Sequence, residues 1–181
     1  VDCCGRVKLD ALKEALCPET ILVSIMYVNN EVGTVQPVEE AASIVKDYNP
    51  SILFHSDAVQ GFGKYRIYPK RQKIDLLSVS GHKIHGPKGT GFLYIGEKVK
   101  IRPILFGGGQ QRDIRSGTEN VPGIAGLGLA AELAYKDFDI KPALMRELKE
   151  YFISEIGQME KTVSICQEDS GIPKQIIRRG V

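Results

Sequence analysis

The chain has 181 residues, of which 43% are hydrophobic and 25% are charged, a composition typical of a folded globular chain rather than a disordered one. No apolar run approaches the roughly 20 residues that a helix needs to cross a bilayer, so we expect no association with a membrane. Twenty-four Lys and Arg side chains against 22 Asp and Glu leave a net charge of +2, too balanced for a nucleic-acid-binding surface.

Helical and strand-like patterns alternate along the chain. The predicted elements, in chain order, are a short helix carrying Leu9, Leu12 and Leu16, a buried strand over 21–28, a helix over 37–48, buried strands over 52–55 and 74–79, a short apolar strand over 91–95, and helices over 121–135 and 142–159. Buried strands that alternate with helices predict an α/β fold: a mainly parallel sheet flanked by helices.

Polar side chains follow three of the predicted strands. Asn30 follows the first strand, Asp57 ends the second, and His82 and Lys83 follow the third. In a parallel sheet, ligands bind at the carboxyl ends of the strands. We therefore expect these residues to converge on one edge of the sheet and to form an active site there.

A lysine inside a glycine-bearing turn is the first candidate for chemistry. Lys83 lies just past a buried strand, where poor solvation would favour nucleophilic use of its amine. The alternative is a solvated lysine in a surface turn. The spacing from Gly81 to Gly86 is that of a phosphate loop, but Pro87 occupies the position of the required lysine, which excludes an ATPase motif.

A carboxylate at the end of an apolar strand is the second candidate. Ionised Asp57 is costly there unless it meets a cation, although it could simply cap the next turn. Paired with Lys83, it matches the needs of an electron-sink cofactor, which takes a lysine for a Schiff base and an acid at its pyridine nitrogen. Gln60 lies three residues further on and could reach the ring hydroxyl.

With these residues the chain resembles the cysteine desulfurases, pyridoxal-phosphate enzymes of the class V aminotransferase family. The resemblance rests on segments that occur in the family's order, at 26–33, 55–60, 80–89, 106–112 and 115–118. It implies the large-domain core of the fold type I pyridoxal-phosphate transferases. Residues 1–136 would be part of the cofactor-binding large domain, and residues 137–181 would begin a small C-terminal α+β domain.

The resemblance also implies a role for each matching residue. Lys83 would form the Schiff base with pyridoxal 5'-phosphate and would then move the Cα proton. The residues that would bind the cofactor are Asp57 at the pyridine nitrogen, Gln60 at the ring hydroxyl, Ser80 and His82 at the phosphate, Asn30 near the ring hydroxyl and substrate, and Thr118 at the phosphate of a partner subunit's cofactor.

The activity implied is the conversion of L-cysteine to L-alanine, which leaves a persulfide on the enzyme for iron–sulfur cluster or thiolated-RNA assembly. A homodimer and a sulfur-acceptor or scaffold protein would be its partners. A selenocysteine lyase, another class V lyase or aminotransferase, and a non-catalytic truncated fragment are the alternatives. Nothing past Ile165 matches the family's cysteine-bearing loop, so Cys166 is not assigned as the sulfur-attacking residue, and we expect little turnover from this chain.

The remaining patterns predict little further chemistry. The four cysteines include no C-x-x-C pair, and the first residues lack a signal-peptide pattern, which predicts a cytoplasmic location. Because residue 1 is not Met, we expect a piece of a longer protein. His82 and His85 have no third ligand nearby in sequence, so no metal site is predicted. His55 is expected to pack beside its strand end.

Overall fold

The computed structural model describes residues 1–136 and 138–158, together with the backbone of two short strands at 162–164 and 176–178. Its elements in chain order are α1 Leu9–Ala15, β1 Leu22–Met26, α2 Val38–Tyr48, β2 Leu53–Asp57, β3 Leu76–Ser80, a 3₁₀ helix at Gly81–Ile84, β4 Gly91–Ile95, α3 Val121–Lys136, α4 Ile140–Gly157, β5 Thr162–Ser164 and β6 Ile176–Arg178. Every predicted helix and strand is present, with small shifts at the ends.

The main sheet has the strand order β1-β2-β3-β4. β1 pairs with β2 and β2 with β3 in parallel, whereas β3 and β4 are antiparallel. The short connection at 81–90 explains the reversal, because a parallel pair needs a crossover of about a dozen residues or more. The prediction of a mainly parallel sheet flanked by helices is confirmed.

The sheet has one buried and one half-buried face. Side chains alternate between the faces of a strand, and in β2 Phe54 and Ser56 are fully buried. This face packs on the apolar side of α2, where Ala41, Ala42 and Val45 have no exposed surface. On the opposite face His55 and Asp57 are only half-buried. The polar residues of the strand ends therefore lie on the more open side of the sheet.

The last two helices are far less covered than α2. Within α4 no residue is buried, and Ile140, Leu144 and Leu148 are 69%, 55% and 58% exposed. These side chains recur every fourth residue, so they form one apolar stripe along the helix. In the part of the chain described here, no helix is long and apolar enough to cross a bilayer. The predicted domain boundary falls at Asp137, outside the described residues.

Candidate active site

Lys83 lies in the 3₁₀ helix that follows β3. Gly81 and Ile84 of this helix are buried, whereas His82 and Lys83 are exposed. The pattern follows from 3₁₀ geometry, in which residues three apart stand on the same side of the helix. The expectation of a poorly solvated Lys83 is therefore wrong for this chain, because the turn directs the lysine away from the core.

The turn around Lys83 is fixed at both ends. Gly81 N donates to Thr90 O at 2.8 Å, and Gly86 N donates to Gly81 O at 2.9 Å. A Cβ on Gly81 would stand 2.9 Å from both Leu127 Cδ1 and Thr90 Oγ1, so a larger residue there would force both side chains to move. Lys83 thus extends from a rigid support.

Asp57 is the last residue of β2, and its carboxylate both caps a turn and borders the open face. Asp57 Oδ1 accepts a hydrogen bond from Val59 N at 2.9 Å, which is the capping role considered from the sequence. In the sheet register Asp57 is the partner of Ser78 on β3. Ser80 lies two residues further along β3 and, by strand alternation, on the same face. The structure therefore brings Asp57 and Ser80 to one face of adjacent strands.

Gln60 and Lys64 connect the Asp57 end of β2 to Lys83. Lys64 Nζ donates to the carbonyl oxygen of Gln60 at 3.1 Å. Burial lowers the pKa of the Lys64 ammonium, and the nearby charge of Lys83 lowers it further. The segment after Asp57 is thus close enough to the Lys83 turn for the two ammonium groups to repel each other.

Lys83 also lines a cavity of about 390 Å³ between its turn and the last two helices. Apolar side chains of α3 and α4, including Leu133 and Met145, form much of the wall, and Lys64 and Lys141 border it as well. Asp57, Gln60, Ser80 and His82 do not line this cavity. The structure therefore groups Lys83 with two further lysines, a grouping for which the sequence held no motif.

Asn30 and Thr118 lie apart from this group in the described hydrogen-bond network. Asn30 is exposed in the loop after β1, and its Nδ2 donates to Glu31 Oε1 at 2.6 Å. Thr118 is exposed in the segment before α3. Within 1–136 and 138–158, neither side chain has a hydrogen bond to Asp57 or Lys83. Cys166 lies outside the described residues.

A hydrogen-bonded row beside Asp57 was not predicted from the sequence. His55 packs beside the strand end as expected, but its Nδ1 is 2.7 Å from Ser24 Oγ and its Nε2 is 2.8 Å from Ser78 Oγ. Burial lowers the pKa of the His55 imidazole, and the charge of Asp57 partly opposes this. Only the sheet register, which the sequence does not display, brings these three side chains together.

The chemistry of these groups fits a ligand with a cationic ring atom, an anionic group and a carbonyl carbon. Asp57 offers an anion at a strand end, and Lys83 offers an exposed primary amine. Ser80 precedes the 3₁₀ helix without using its hydroxyl to cap it, which leaves that hydroxyl to bind an anion together with His82.

Comparison with known proteins identifies the family. Residues 1–176 match the family model described as Aminotransferase class-V. A putative cysteine desulfurase IscS 1 from Bacillus subtilis (strain 168) is 54% identical over 152 residues, which are 84% of this chain and 40% of that protein. The cysteine desulfurase IscS of Methanosarcina thermophila is 48% identical over 162 residues, 90% of this chain and 40% of that protein.

Solved structures of NifS-like proteins have the same fold as this chain. A NifS-like protein superposes with a TM-score of 0.89 at 43% identity, covering 96% of this chain and 47% of that one. The NifS-like protein from Rickettsia africae ESF-5 gives a TM-score of 0.88 at 34% identity, covering 96% and 48%. The chain thus spans less than half the length of these relatives.

Proposed function

The chain belongs to the class V aminotransferase family, and from this we propose that the protein containing it is a pyridoxal-phosphate-dependent cysteine desulfurase. The observation that carries the proposal is the arrangement of β2 and β3. Their register sets Asp57 beside Ser78, two residues before Ser80, and Lys83 follows in the turn that ends β3. An acid, a hydroxyl and an amine are thereby offered from adjacent strand ends.

Each residue of this group would have a separate task in holding the cofactor. Asp57 would pair with the ring nitrogen and keep a proton there, and Gln60 and Asn30 would bind near the ring hydroxyl. Ser80 and His82 would donate hydrogen bonds to the phosphate. When bound, pyridoxal phosphate supplies an electron-withdrawing ring that stabilises negative charge at Cα of an amino acid.

Lys83 would act at two points. Its amine would hold the cofactor covalently, and with L-cysteine bound the same amine, then free, would take the proton from Cα. A cysteine thiolate of the enzyme would then form an S–S bond with the substrate sulfur as the Cβ–S bond breaks. Cβ would take a proton and Cα would regain the one held by Lys83, which gives L-alanine, and the enzyme would keep the persulfide.

Assembly and sulfur delivery extend the same proposal. The protein would act as a homodimer in which Thr118 reaches the cofactor phosphate of the other subunit. The exposure of Thr118 and of the neighbouring α3 residues Val121 and Leu129, at 67% and 56%, supports an interface there. The persulfide would pass to an acceptor or scaffold protein in the cytoplasm, for iron–sulfur cluster or thiolated-RNA assembly.

Borohydride trapping tests the assignment of Lys83. The full-length gene product with pyridoxal phosphate is expected to show a visible absorbance band that borohydride bleaches, and peptide mapping should find the label on Lys83. Lys83→Ala should abolish both the label and alanine formation from L-cysteine. Lys88→Ala, at an exposed lysine near the same turn, is the matched control and should keep both. A label on Lys64 or Lys88 in the unmodified protein would contradict the assignment.

A further inference from the structure

The half-buried face of the sheet, which carries Asp57, also carries a row of three polar side chains one step earlier along the strands. We call Ser24, His55 and Ser78 the serine–histidine bridge. Both ring nitrogens of His55 are engaged, Nδ1 with Ser24 Oγ at 2.7 Å and Nε2 with Ser78 Oγ at 2.8 Å. Because the serines lie on β1 and β3 and the histidine on β2, the bridge ties together the strands on both sides of the one that carries Asp57.

The bridge is joined to the position of Asp57 through Ser78. His55 and Asp57 are two residues apart on β2, so their side chains leave the same face of the sheet about 7 Å apart along the strand. Ser78 is the register partner of Asp57, yet its hydroxyl bonds back to His55 Nε2. The residue that pairs with Asp57 across the sheet therefore also holds the imidazole of His55.

Because His55 is uncharged, the serine–histidine bridge leaves the carboxylate of Asp57 free to pair with another group. Burial lowers the pKa of His55 despite the opposing charge of Asp57, so the imidazole is neutral at neutral pH. A neutral imidazole donates at one nitrogen and accepts at the other, and each serine hydroxyl can take either role. A protonated imidazole would instead compete, as a second cation, for the carboxylate of Asp57.

We propose that His55 is a positioning residue of this site. Held by Ser24 and Ser78, it fixes the end of β2 and places an uncharged group next to Asp57. The carboxylate of Asp57 is then left to pair with the ring nitrogen of the cofactor. The proposal rests on the proposed function, because it requires Asp57 to bind a cationic ring atom. His55 contacts neither substrate nor cofactor in this role and acts only through Asp57.

A double-mutant cycle on cofactor affinity tests the proposal in the full-length gene product. The dissociation constant of pyridoxal phosphate is measured by equilibrium dialysis for His55→Phe, both with Asp57 present and in the Asp57→Asn background. Residues that act through one another are not additive. We expect His55→Phe to weaken binding about tenfold with Asp57 present and less than about twofold when Asp57→Asn is already in place. His55→Gln, whose amide can still reach Ser78, should restore part of the loss.

The outcomes separate this proposal from the proposed function. If Asp57→Asn weakens the cofactor but His55→Phe has the same effect in both backgrounds, His55 serves packing alone and the positioning role is overturned. If Asp57→Asn leaves the affinity unchanged, the pairing of Asp57 with the ring nitrogen fails, and the positioning role fails with it.

A second measurement needs no cofactor and no disruptive substitution at His55. The imidazole resonances of His55 are titrated by NMR in the cofactor-free protein, and assigned by comparison with His55→Gln. Removing the anion by Asp57→Asn should lower the pKa of His55 further, because the favourable charge is lost. An unchanged pKa would show that His55 and Asp57 do not interact, which would overturn the proposal even where His55→Phe fails to fold.

Discussion

The hydroxyl of Tyr135 donates a hydrogen bond to the carbonyl oxygen of Tyr65, 3.0 Å away, and accepts one from Gly63 N at 3.1 Å. This pair fixes the end of α3 to the segment that follows Asp57. The ring of Tyr135 also packs edge-on against Phe62, with centroids 5.3 Å apart. One side chain therefore holds together two of the elements that border the cavity of Lys83.

Tyr135→Phe should keep the ring packing and lose both hydrogen bonds. We expect the free energy of unfolding to fall by about 1 to 2 kcal/mol, since a half-buried donor at Gly63 is left without its acceptor. Urea unfolding measures the change. Tyr151→Phe, on an α4 tyrosine that is 66% exposed, is the control and should change stability little. Equal losses in the two variants would contradict a specific role for the Tyr135 hydroxyl.

The ion pair between Lys46 and Asp75 should contribute more to the stability of the fold than the exposed ion pairs do. Lys46 Nζ lies 2.5 Å from Asp75 Oδ2, the two side chains are only 16% and 23% exposed, and the same oxygen accepts from Phe54 N at 2.7 Å. Asp75→Ala should destabilise the fold by about 3 kcal/mol, because it removes the counter-ion of a half-buried ammonium, which keeps its hydrogen bond to Ile52 O, and leaves the Phe54 N–H without an acceptor.

The exposed pair of Asp47 with Lys73, 3.7 Å apart, provides the control for Asp75. Asp47→Ala should cost less than about 1 kcal/mol, since solvent screens both charges. Thermal or urea unfolding of both variants decides the comparison. If Asp75→Ala lowered the free energy of unfolding no more than Asp47→Ala, burial would add nothing to the strength of the Lys46–Asp75 ion pair.

His55 should make stability depend on pH in the mildly acidic range. Its folded pKa lies below the ordinary value of 6.5 because of burial, with Asp57 as the opposing charge. As the pH falls through 6.5, the unfolded chain therefore binds the proton first, and the free energy of unfolding decreases. Above this range both states are neutral and the penalty is absent.

Urea unfolding between about pH 8 and pH 5 measures this dependence. His55→Gln should show a flatter profile than the unmodified protein, because the titrating group has been removed. Identical slopes in the two proteins would show that His55 has the same pKa in the folded and unfolded chain.

Ser56 should be replaceable by alanine without loss of stability. Its side chain is fully buried, and its hydroxyl has no hydrogen-bond partner among the described residues. Ser56→Ala is expected to leave stability unchanged or raise it by about 1 kcal/mol, since an unpaired buried hydroxyl is unfavourable. Ser78→Ala, on the opposite face of the same sheet, removes a bond to His55 and should be destabilising. Calorimetric melting of both variants tests whether their effects differ in sign.

Local patterns predicted the elements of this fold because burial imposes a period on the sequence. The 3.6-residue spacing of Val38, Ala41, Ala42 and Val45 predicted α2, and these are the buried residues of that helix. Asp57 and Lys83 became candidate site residues for a related reason, since polar side chains stand out where an apolar strand ends. These features can therefore be predicted from the local sequence alone.

The remaining site features depend on which strands are neighbours and how they are aligned. His55 bonds to Ser24 and Ser78 only because parallel register places them on adjacent strands, and nothing in the three local sequences marks this. Lys64 likewise approaches Lys83 because the neighbouring Gly63 packs against Ile84 of the lysine turn, not because of a motif. The solvation of Lys83 was mispredicted because a 3₁₀ turn, unlike a strand or an α-helix, returns to its buried side every third residue.

The reversal between β3 and β4 also bears on the order in which the protein folds. Closing a chain segment costs entropy that grows with its length, and the segment at 81–90 is shorter than those that join β1 to β2 and β2 to β3. The β3–β4 hairpin is therefore expected to form before either parallel pairing, so that the lysine turn is built first and the Asp57 strand docks onto it later. Pulse-labelling hydrogen exchange should show early protection at Tyr94 and later protection at Ala58, whose N–H donates to Ser78 O at 2.9 Å where β2 meets β3, and the opposite order would refute this sequence of events.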